Sequence, residues 1–179
     1  WTPSSHWSHS LSLHYTYGYG YYKEFKNNAK FAKFGLVYYD AEGNFIKKSD
    51  FIRKKGLTQH TYGMVYNTNY KDEHWDVIGG LNLQQFRGNH WGYLTYIANQ
   101  DAEKKFFGSN GKYKYYDSDA HKYDYSAFVK ASYRFADYWN AFAYLQYRRV
   151  EYKTDGINDK FIAQADGSYK NQELNINEK

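Results

Sequence analysis

The sequence contains no cysteine, one proline and one methionine among its 179 residues. Without cysteine, the chain has no disulfide bond, no thiolate metal site and no cysteine nucleophile. No run approaches the roughly 18 consecutive apolar residues that a membrane-spanning helix needs, and the mean hydropathy is −0.94. A helical membrane protein is therefore excluded. The strands of a transmembrane β-barrel bury only alternate residues in lipid, so this class stays open.

The chain also lacks a strong excess of one charge and any catalytic motif. Its 24 Lys and Arg stand against 19 Asp and Glu, with the two signs interspersed. Such interspersion is typical of a solvated surface, so we expect no nucleic-acid partner. HExxH, GxSxG and P-loop motifs are absent, and Gly18-Tyr19-Gly20 lacks the third glycine of a dinucleotide fingerprint. We predict that the chain is not an enzyme and uses no cofactor.

Aromatic residues are abundant: they make up 22% of the chain, which has 23 tyrosines. In HSLSLHYTYGYGYY, from His9 to Tyr22, large apolar residues alternate with Ser, Thr, His and Gly. This period of two is typical of a β-strand with one apolar and one polar face. Because a buried phenol needs a hydrogen-bond partner, a core would normally use Val, Ile or Leu instead. The tyrosine-rich face therefore indicates contact with something other than water or an ordinary protein interior.

The same alternation predicts five strands. They cover about residues 6–25, 57–70, 75–86, 123–135 and 139–152. Two long loops, about 26–56 and 87–122, alternate with short turns, which places both long loops at one end of the sheet.

The long segments carry local signals of their own. We predict one hairpin that turns at Glu42-Gly43-Asn44 and another that turns at Asn110-Gly111. Ser49 to Gly56 is predicted to form one helical turn. After Asp155 the alternation fades, which predicts another polar loop.

The fourth predicted strand is the most informative. One face carries aromatic residues at both ends and small aliphatic residues between them, whereas the other carries Lys130 at its centre. Tyr123 and Tyr133 are separated by about 33 Å along an extended strand. At a tilt of ~40° this distance projects to about 25 Å, the height of the apolar band on a transmembrane β-barrel. Tyrosine at the band edges places its hydroxyl among lipid headgroups.

The predicted fold is therefore all-β: an antiparallel meander of about five long strands, part of an outer-membrane β-barrel, with long structured loops at one end. Outer-membrane lipid is the partner that this fold requires.

Four segments resemble the barrel portion of TonB-dependent receptors of the outer membrane. They are SDFIRKKGLTQHTYGMVYN, WDVIGGLNLQQFRGNHWGY, YYDSDAHKYDYSAFVKASYRF and YKTDGINDKF. The resemblance covers most of the chain and implies a 22-stranded barrel, plugged by a separate N-terminal domain, that imports scarce ligands with energy passed through TonB.

No plug, TonB box, C-terminal aromatic strand or signal peptide is recognised in the sequence. We therefore expect residues 1–179 to form one partial β-barrel domain, an internal fragment of a longer parent. The resemblance implies the remaining barrel strands, the plug and TonB as partners. It also implies a small-molecule or oligosaccharide ligand. A barrel opening lined by aromatic side chains and by charges of both signs suits a siderophore, haem, a corrinoid or an oligosaccharide.

The segment GNHWGYLTY is the candidate ligand-binding loop, because large aromatic rings at a mouth can stack on rings or sugars. Its candidate residues are His90, Trp91, Tyr93 and Tyr96. The alternative is that these side chains only pack the loop against its neighbours.

Two weaker signals concern metal binding. The segment DSDAHKYD offers Asp117, Asp119, His121 and Asp124 as possible ligands for a divalent cation. A solvated acidic turn balanced by lysines is the simpler interpretation, so no metal site is predicted. His14, on the polar face of the first strand, is expected to be a hydrogen-bonded histidine of the lumen.

A second class of function uses the same aromatic residues. A soluble β-sheet module could bind carbohydrate by stacking sugars on these rings. Such a module would stay monomeric without detergent.

Overall fold

The computed structural model describes residues 1–178, and most of them lie in six long antiparallel strands. The sheet strands are β1 (Trp7–Lys30), β4 (Lys48–Lys71), β5 (Trp75–Ile97), β6 (Tyr113–Ala136), β7 (Trp139–Ala163) and β8 (Tyr169–Glu178). Between β1 and β4 lie a 3-10 turn (Phe31–Phe34) and a two-stranded hairpin of β2 (Tyr38–Tyr39) and β3 (Phe45–Ile46). Helix α1 (Gln100–Phe107) and a second 3-10 turn (Gly108–Asn110) join β5 to β6.

The large sheet has the order β1-β4-β5-β6-β7-β8, and every neighbouring pair is antiparallel. The predicted all-β meander is confirmed, as is the antiparallel pairing of the five predicted strands with their neighbours in sequence. The sheet is open: within residues 1–178, β1 and β8 are each paired on one side only.

The strands are much longer than the alternation of apolar residues predicted. Residues 48–56 belong to β4 and residues 87–97 to β5, although both were expected in loops. The prediction of a helical turn from Ser49 to Gly56 is wrong, because this segment pairs with β1 on one side and with β5 on the other. Backbone hydrogen bonds continue where the strict alternation of apolar and polar residues ends, so the alternation gives no sign of this continuation.

The two predicted hairpins have different outcomes. The hairpin at Glu42-Gly43-Asn44 is confirmed: Asp40 accepts hydrogen bonds from the backbone nitrogens of Glu42 and Asn44, at 3.1 and 2.7 Å. The hairpin at Asn110-Gly111 is wrong. Asn99 caps α1 by accepting a hydrogen bond from the backbone nitrogen of Ala102, so the residues before Gly111 form a helix and a 3-10 turn instead of a strand.

The predicted polar loop after Asp155 is also wrong. Strand β7 continues to Ala163, and β8 follows a turn at residues 164–168. The sheet therefore has six long strands, one more than predicted.

A compact core lies at the end of the sheet that carries the long connections. Phe51, which is fully buried, packs against Phe31 and Phe34 with ring centroids 5.0 and 4.8 Å away. Leu94 and Ile97 of β5 are buried beside it. This core fixes the two long connections over one face of the sheet.

The sheet curls toward that face. Lys55 on β4 and Asp159 on β7 form a salt bridge with 2.8 Å between Nζ and Oδ2. In a flat sheet, the three strand spacings between β4 and β7 alone would separate them by about 14 Å. The ring of Phe161 also packs on Gly35, where a Cβ atom would lie 2.2 Å from Cε1 of the ring. We call the face that bears Lys55 the concave face and the opposite one the convex face.

Candidate functional site

The strand register assigns the alternating side chains to the two faces. Leu83 is opposite Met64 and Tyr125, and Val129 is opposite Leu145, so these side chains share the convex face. The aliphatic residues of the third, fourth and fifth predicted strands therefore lie on one side of the sheet. We call the aliphatic and tyrosine residues in the middle of the convex face the apolar band. They are Leu11, Leu13, Met64, Tyr66, Val77, Leu81, Leu83, Ala127, Val129, Ala131, Ala143, Leu145 and Tyr147.

Aromatic rings border the apolar band on both sides. Toward the short turns, Trp75 and Tyr133 are paired, with ring centroids 4.5 Å apart. Toward the long connections, Tyr15 lies 5.1 Å from Tyr62, and Tyr123 continues this border on β6. On β6 the two borders are ten residues apart, about 33 Å along the strand, which would project to about 25 Å at the ~40° tilt of a transmembrane barrel strand.

The apolar band is exposed to an extent that a water-facing surface rarely tolerates. Leu13 is 73% exposed, Leu145 71% and Val129 43%. Soluble monomers seldom expose an apolar patch larger than a few hundred Å². The core residues at the loop end, such as Phe51 and Leu94, are by contrast buried.

The concave face is mainly polar at the level of the band. Asp124 is buried there and accepts two hydrogen bonds from the guanidinium of Arg148, at 2.9 and 2.5 Å. Such a bidentate pair satisfies a charge that would otherwise be costly to bury. Serine residues fill this face of β1, and the ring of His14 lies over Gly63 on β4.

A cavity of about 680 Å³ opens on the concave face, beside the core at the loop end. Its floor is Gly18 and Gly20 of β1, and a Cβ at Gly20 would meet nothing within 4 Å. Its other side chains include Tyr22, Lys55, Leu57, Gln59, His90 and Tyr116. The volume lies in the range of small-molecule sites. The lining combines aromatic surface with a few polar groups that could fix a ligand's orientation.

The electrostatics of this cavity centre on Lys55. Its ammonium group lies 5.1 Å from the ring centroid of Tyr116 while it binds Asp159. Burial raises the pKa of Tyr116 to about 12, so its hydroxyl stays protonated and can donate a hydrogen bond at neutral pH. A ligand in this cavity would therefore contact the Lys55 ammonium group paired with Asp159, the neutral hydroxyl of Tyr116 and the faces of aromatic rings.

The predicted ligand-binding residues lie in strand β5 and do not converge. His90 lines the concave cavity. Trp91 and Tyr93 point to the convex face, where they line a separate cavity of about 410 Å³ together with Lys54. Tyr96 is 42% exposed and lines neither cavity.

The residues considered for a metal are likewise divided between the two faces. Asp117 and Asp119 on the convex face both accept hydrogen bonds from Asn89 Nδ2, at 2.8 and 2.9 Å. His121 shares that face, whereas Asp124 binds Arg148 on the concave face. In the part of the chain that the structure describes, no three His, Asp or Glu side chains gather as a metal site would require.

Most residues of the concave cavity were missed by the sequence analysis. Gly18 and Gly20 were noted only as part of a failed nucleotide motif, and Lys55 lay in the supposed helical turn. A usable signal was present, because two glycines on one face of a strand leave a hollow there.

The chain matches no family model, no curated protein and no solved structure. None of the helices within residues 1–178 has the length and apolar character needed to cross a bilayer.

Proposed function

We propose that this chain forms part of a transmembrane β-barrel in an outer membrane, and that the barrel belongs to a TonB-dependent receptor that imports a scarce ligand. The observation that carries the membrane part is the apolar band: an exposed convex surface about 25 Å high, bordered by aromatic rings and backed by a polar concave face.

The arrangement of charge supports the same proposal. Asp124 and Arg148 neutralise each other on the concave face, where a lumen or a plug domain would lie. The open edges of β1 and β8 are the places where further strands of a barrel would pair. The receptor part rests on the resemblance of the sequence and on the concave cavity, which faces the lumen at the end of the long connections.

Site-specific labelling tests the membrane part, and residues 1–179 contribute no competing cysteine. We would introduce Leu145→Cys and, as a matched control on the same strand, Gln146→Cys into the full-length protein. Each variant would be labelled with bimane and reconstituted into vesicles that contain brominated phosphatidylcholine. We expect strong quenching of bimane at residue 145 and little at residue 146, because their side chains lie on opposite faces.

Equal quenching at the two positions would contradict a lipid-facing convex side. A labelled protein that stays monomeric in plain buffer, with no quenching at either position, would instead favour the soluble carbohydrate-binding module.

A further inference from the structure

The convex face carries a row of basic side chains directly beyond the aromatic border that lies toward the long connections. The strand register places His60, Arg87, His121 and Lys153 opposite one another on β4, β5, β6 and β7. We call these four residues the basic row. Because neighbouring strands are about 4.8 Å apart, the row spans roughly 15 Å. It lies two residues, or roughly 6.6 Å along the strand, from the row that contains Tyr62 and Tyr123.

The basic row is not neutralised by carboxylates. None of its four members takes part in a salt bridge within residues 1–178. The nearest acidic side chain toward the band, Glu151, binds Arg149 instead. On the other side of the row, Asp119 and Asp155 lie opposite each other on β6 and β7, and neither forms a salt bridge with a member of the row.

Hydrogen bonds connect the basic row to the aromatic border. Tyr15 Oη and His60 Nδ1 share one at 2.9 Å. In the amide orientation that satisfies its neighbours, Gln85 accepts hydrogen bonds from Arg87 Nε, at 2.9 Å, and from Tyr123 Oη, at 3.2 Å. These contacts fix the side chains of His60 and Arg87 at a constant height above the apolar band.

We infer that the basic row binds the phosphate groups of anionic lipid headgroups in the leaflet at the long-connection end. This inference rests on the proposed membrane insertion, because the aromatic border then lies at the acyl boundary and the basic row lies at headgroup level. Arg87 and Lys153 are exposed, so their cationic groups can reach a headgroup from the side. Guanidinium and ammonium groups form charge-assisted hydrogen bonds with phosphate oxygens.

The concave face supplies a matched control. Lys122 and Lys130 lie on β6 with their side chains on that face, away from the lipid. The variants Arg87→Gln/Lys153→Gln and Lys122→Gln/Lys130→Gln therefore remove the same amount of charge from opposite sides of the sheet.

The experiment uses the full-length protein in neutral detergent micelles and native mass spectrometry to measure bound phosphatidylglycerol, phosphatidylcholine or inorganic phosphate. We expect the unmodified protein to prefer phosphatidylglycerol to phosphatidylcholine. Arg87→Gln/Lys153→Gln should weaken phosphatidylglycerol binding by about thirtyfold, since each basic group near a lipid surface contributes a factor of roughly five to six. Lys122→Gln/Lys130→Gln should leave it unchanged.

Three outcomes would overturn the inference: equal weakening by the two double variants, no preference for phosphatidylglycerol, or equally tight binding of inorganic phosphate without a lipid. If bimane at residue 145 is quenched by brominated lipid while any of these holds, the headgroup site fails and the membrane proposal stands. If bimane at residue 145 is not quenched, the membrane proposal itself fails.

Discussion

The indole ring of Trp91 covers the Cα atom of Gly56, its direct partner on the neighbouring strand. A Cβ atom at Gly56 would lie 2.2 Å from Cζ2 of that ring. The same relationship recurs where Phe128 covers Gly80 on the concave face. Large rings thus occupy the space that a glycine leaves on the opposite strand, which holds the sheet in one register.

This packing makes Gly56→Ala destabilising. We expect the free energy of unfolding to fall by about 1–3 kcal/mol, because the buried Trp91 ring must move to admit the new methyl group. Gly20→Ala is the control, since a Cβ there meets nothing within 4 Å. Urea unfolding of both variants in detergent measures the difference, and equal stability would show that Trp91 moves without cost.

Charge on the apolar band should be far more costly than charge on the concave face. We expect Val129→Arg or Leu145→Arg to lower the free energy of unfolding in a bilayer by roughly 2–4 kcal/mol, as at lipid-facing sites near the midplane. Ser126→Arg and Gln146→Arg place the same group on the concave face and should cost much less. Reversible folding into vesicles measures all four, and similar costs at both pairs of sites would mean that neither face contacts lipid.

The core at the loop end is expected to depend on Phe51. This side chain is fully buried, so Phe51→Ala should lower the free energy of unfolding by about 3–5 kcal/mol. Phe25→Ala, at a position that is 56% exposed, is the control and should have a much smaller effect. Proteolysis should cut residues 31–47 sooner in the Phe51 variant, and an unchanged cleavage rate would contradict the role of this core in holding the long connection.

The short turn between β4 and β5 should respond to acid through Asp72. Hydrogen bonds from the backbone nitrogen of Trp75, the hydroxyl of Tyr70 and the backbone nitrogen of His74 lower the pKa of Asp72 to about 2. Because the folded pKa is below the ordinary value, the charged carboxylate stabilises the turn above about pH 4. This stabilisation is lost as the pH falls through 2.

Asp72→Asn tests this directly. The variant should be less stable than the unmodified protein at pH 7, and the difference should shrink as the pH falls from about 4 to 2. Thermal unfolding at a series of pH values measures it. A difference that stays constant down to pH 2 would show that the charge of Asp72 contributes nothing.

Filling the concave cavity should block ligand import if the receptor proposal holds. Gly20→Phe places a ring in the open space above the cavity floor, where nothing lies within 4 Å of a Cβ atom. Uptake of a ferric siderophore, haem, a corrinoid and an oligosaccharide would be measured in cells that produce the full-length protein. We expect the imported compound to be lost in Gly20→Phe and retained in Tyr96→Ala, which alters a residue outside the cavity. Unchanged uptake in Gly20→Phe would exclude this cavity.

The sequence by itself determined the all-β class of the fold and, within the five predicted strands, the side of the sheet on which each residue lies. Alternation in strands such as β1 assigns Leu13 and Tyr15 to one face because successive side chains on an extended backbone point in opposite directions. The hairpin at residues 40–44 was also determined locally. The Asp40 carboxylate accepts a hydrogen bond from the backbone nitrogen of Asn44, and Gly43 adopts a positive φ of 84°. These features depend only on residues close together in the chain.

Only the tertiary structure decided the length and curvature of the strands. Residues 48–56 and 87–97 extend the sheet because each strand provides backbone partners for the next, whatever the polarity of the side chains. Curvature brings Lys55 on β4 to Asp159 on β7, 104 positions away, and thereby forms the concave cavity. Such contacts depend on how several strands pair at once, so no local pattern in the sequence could specify them.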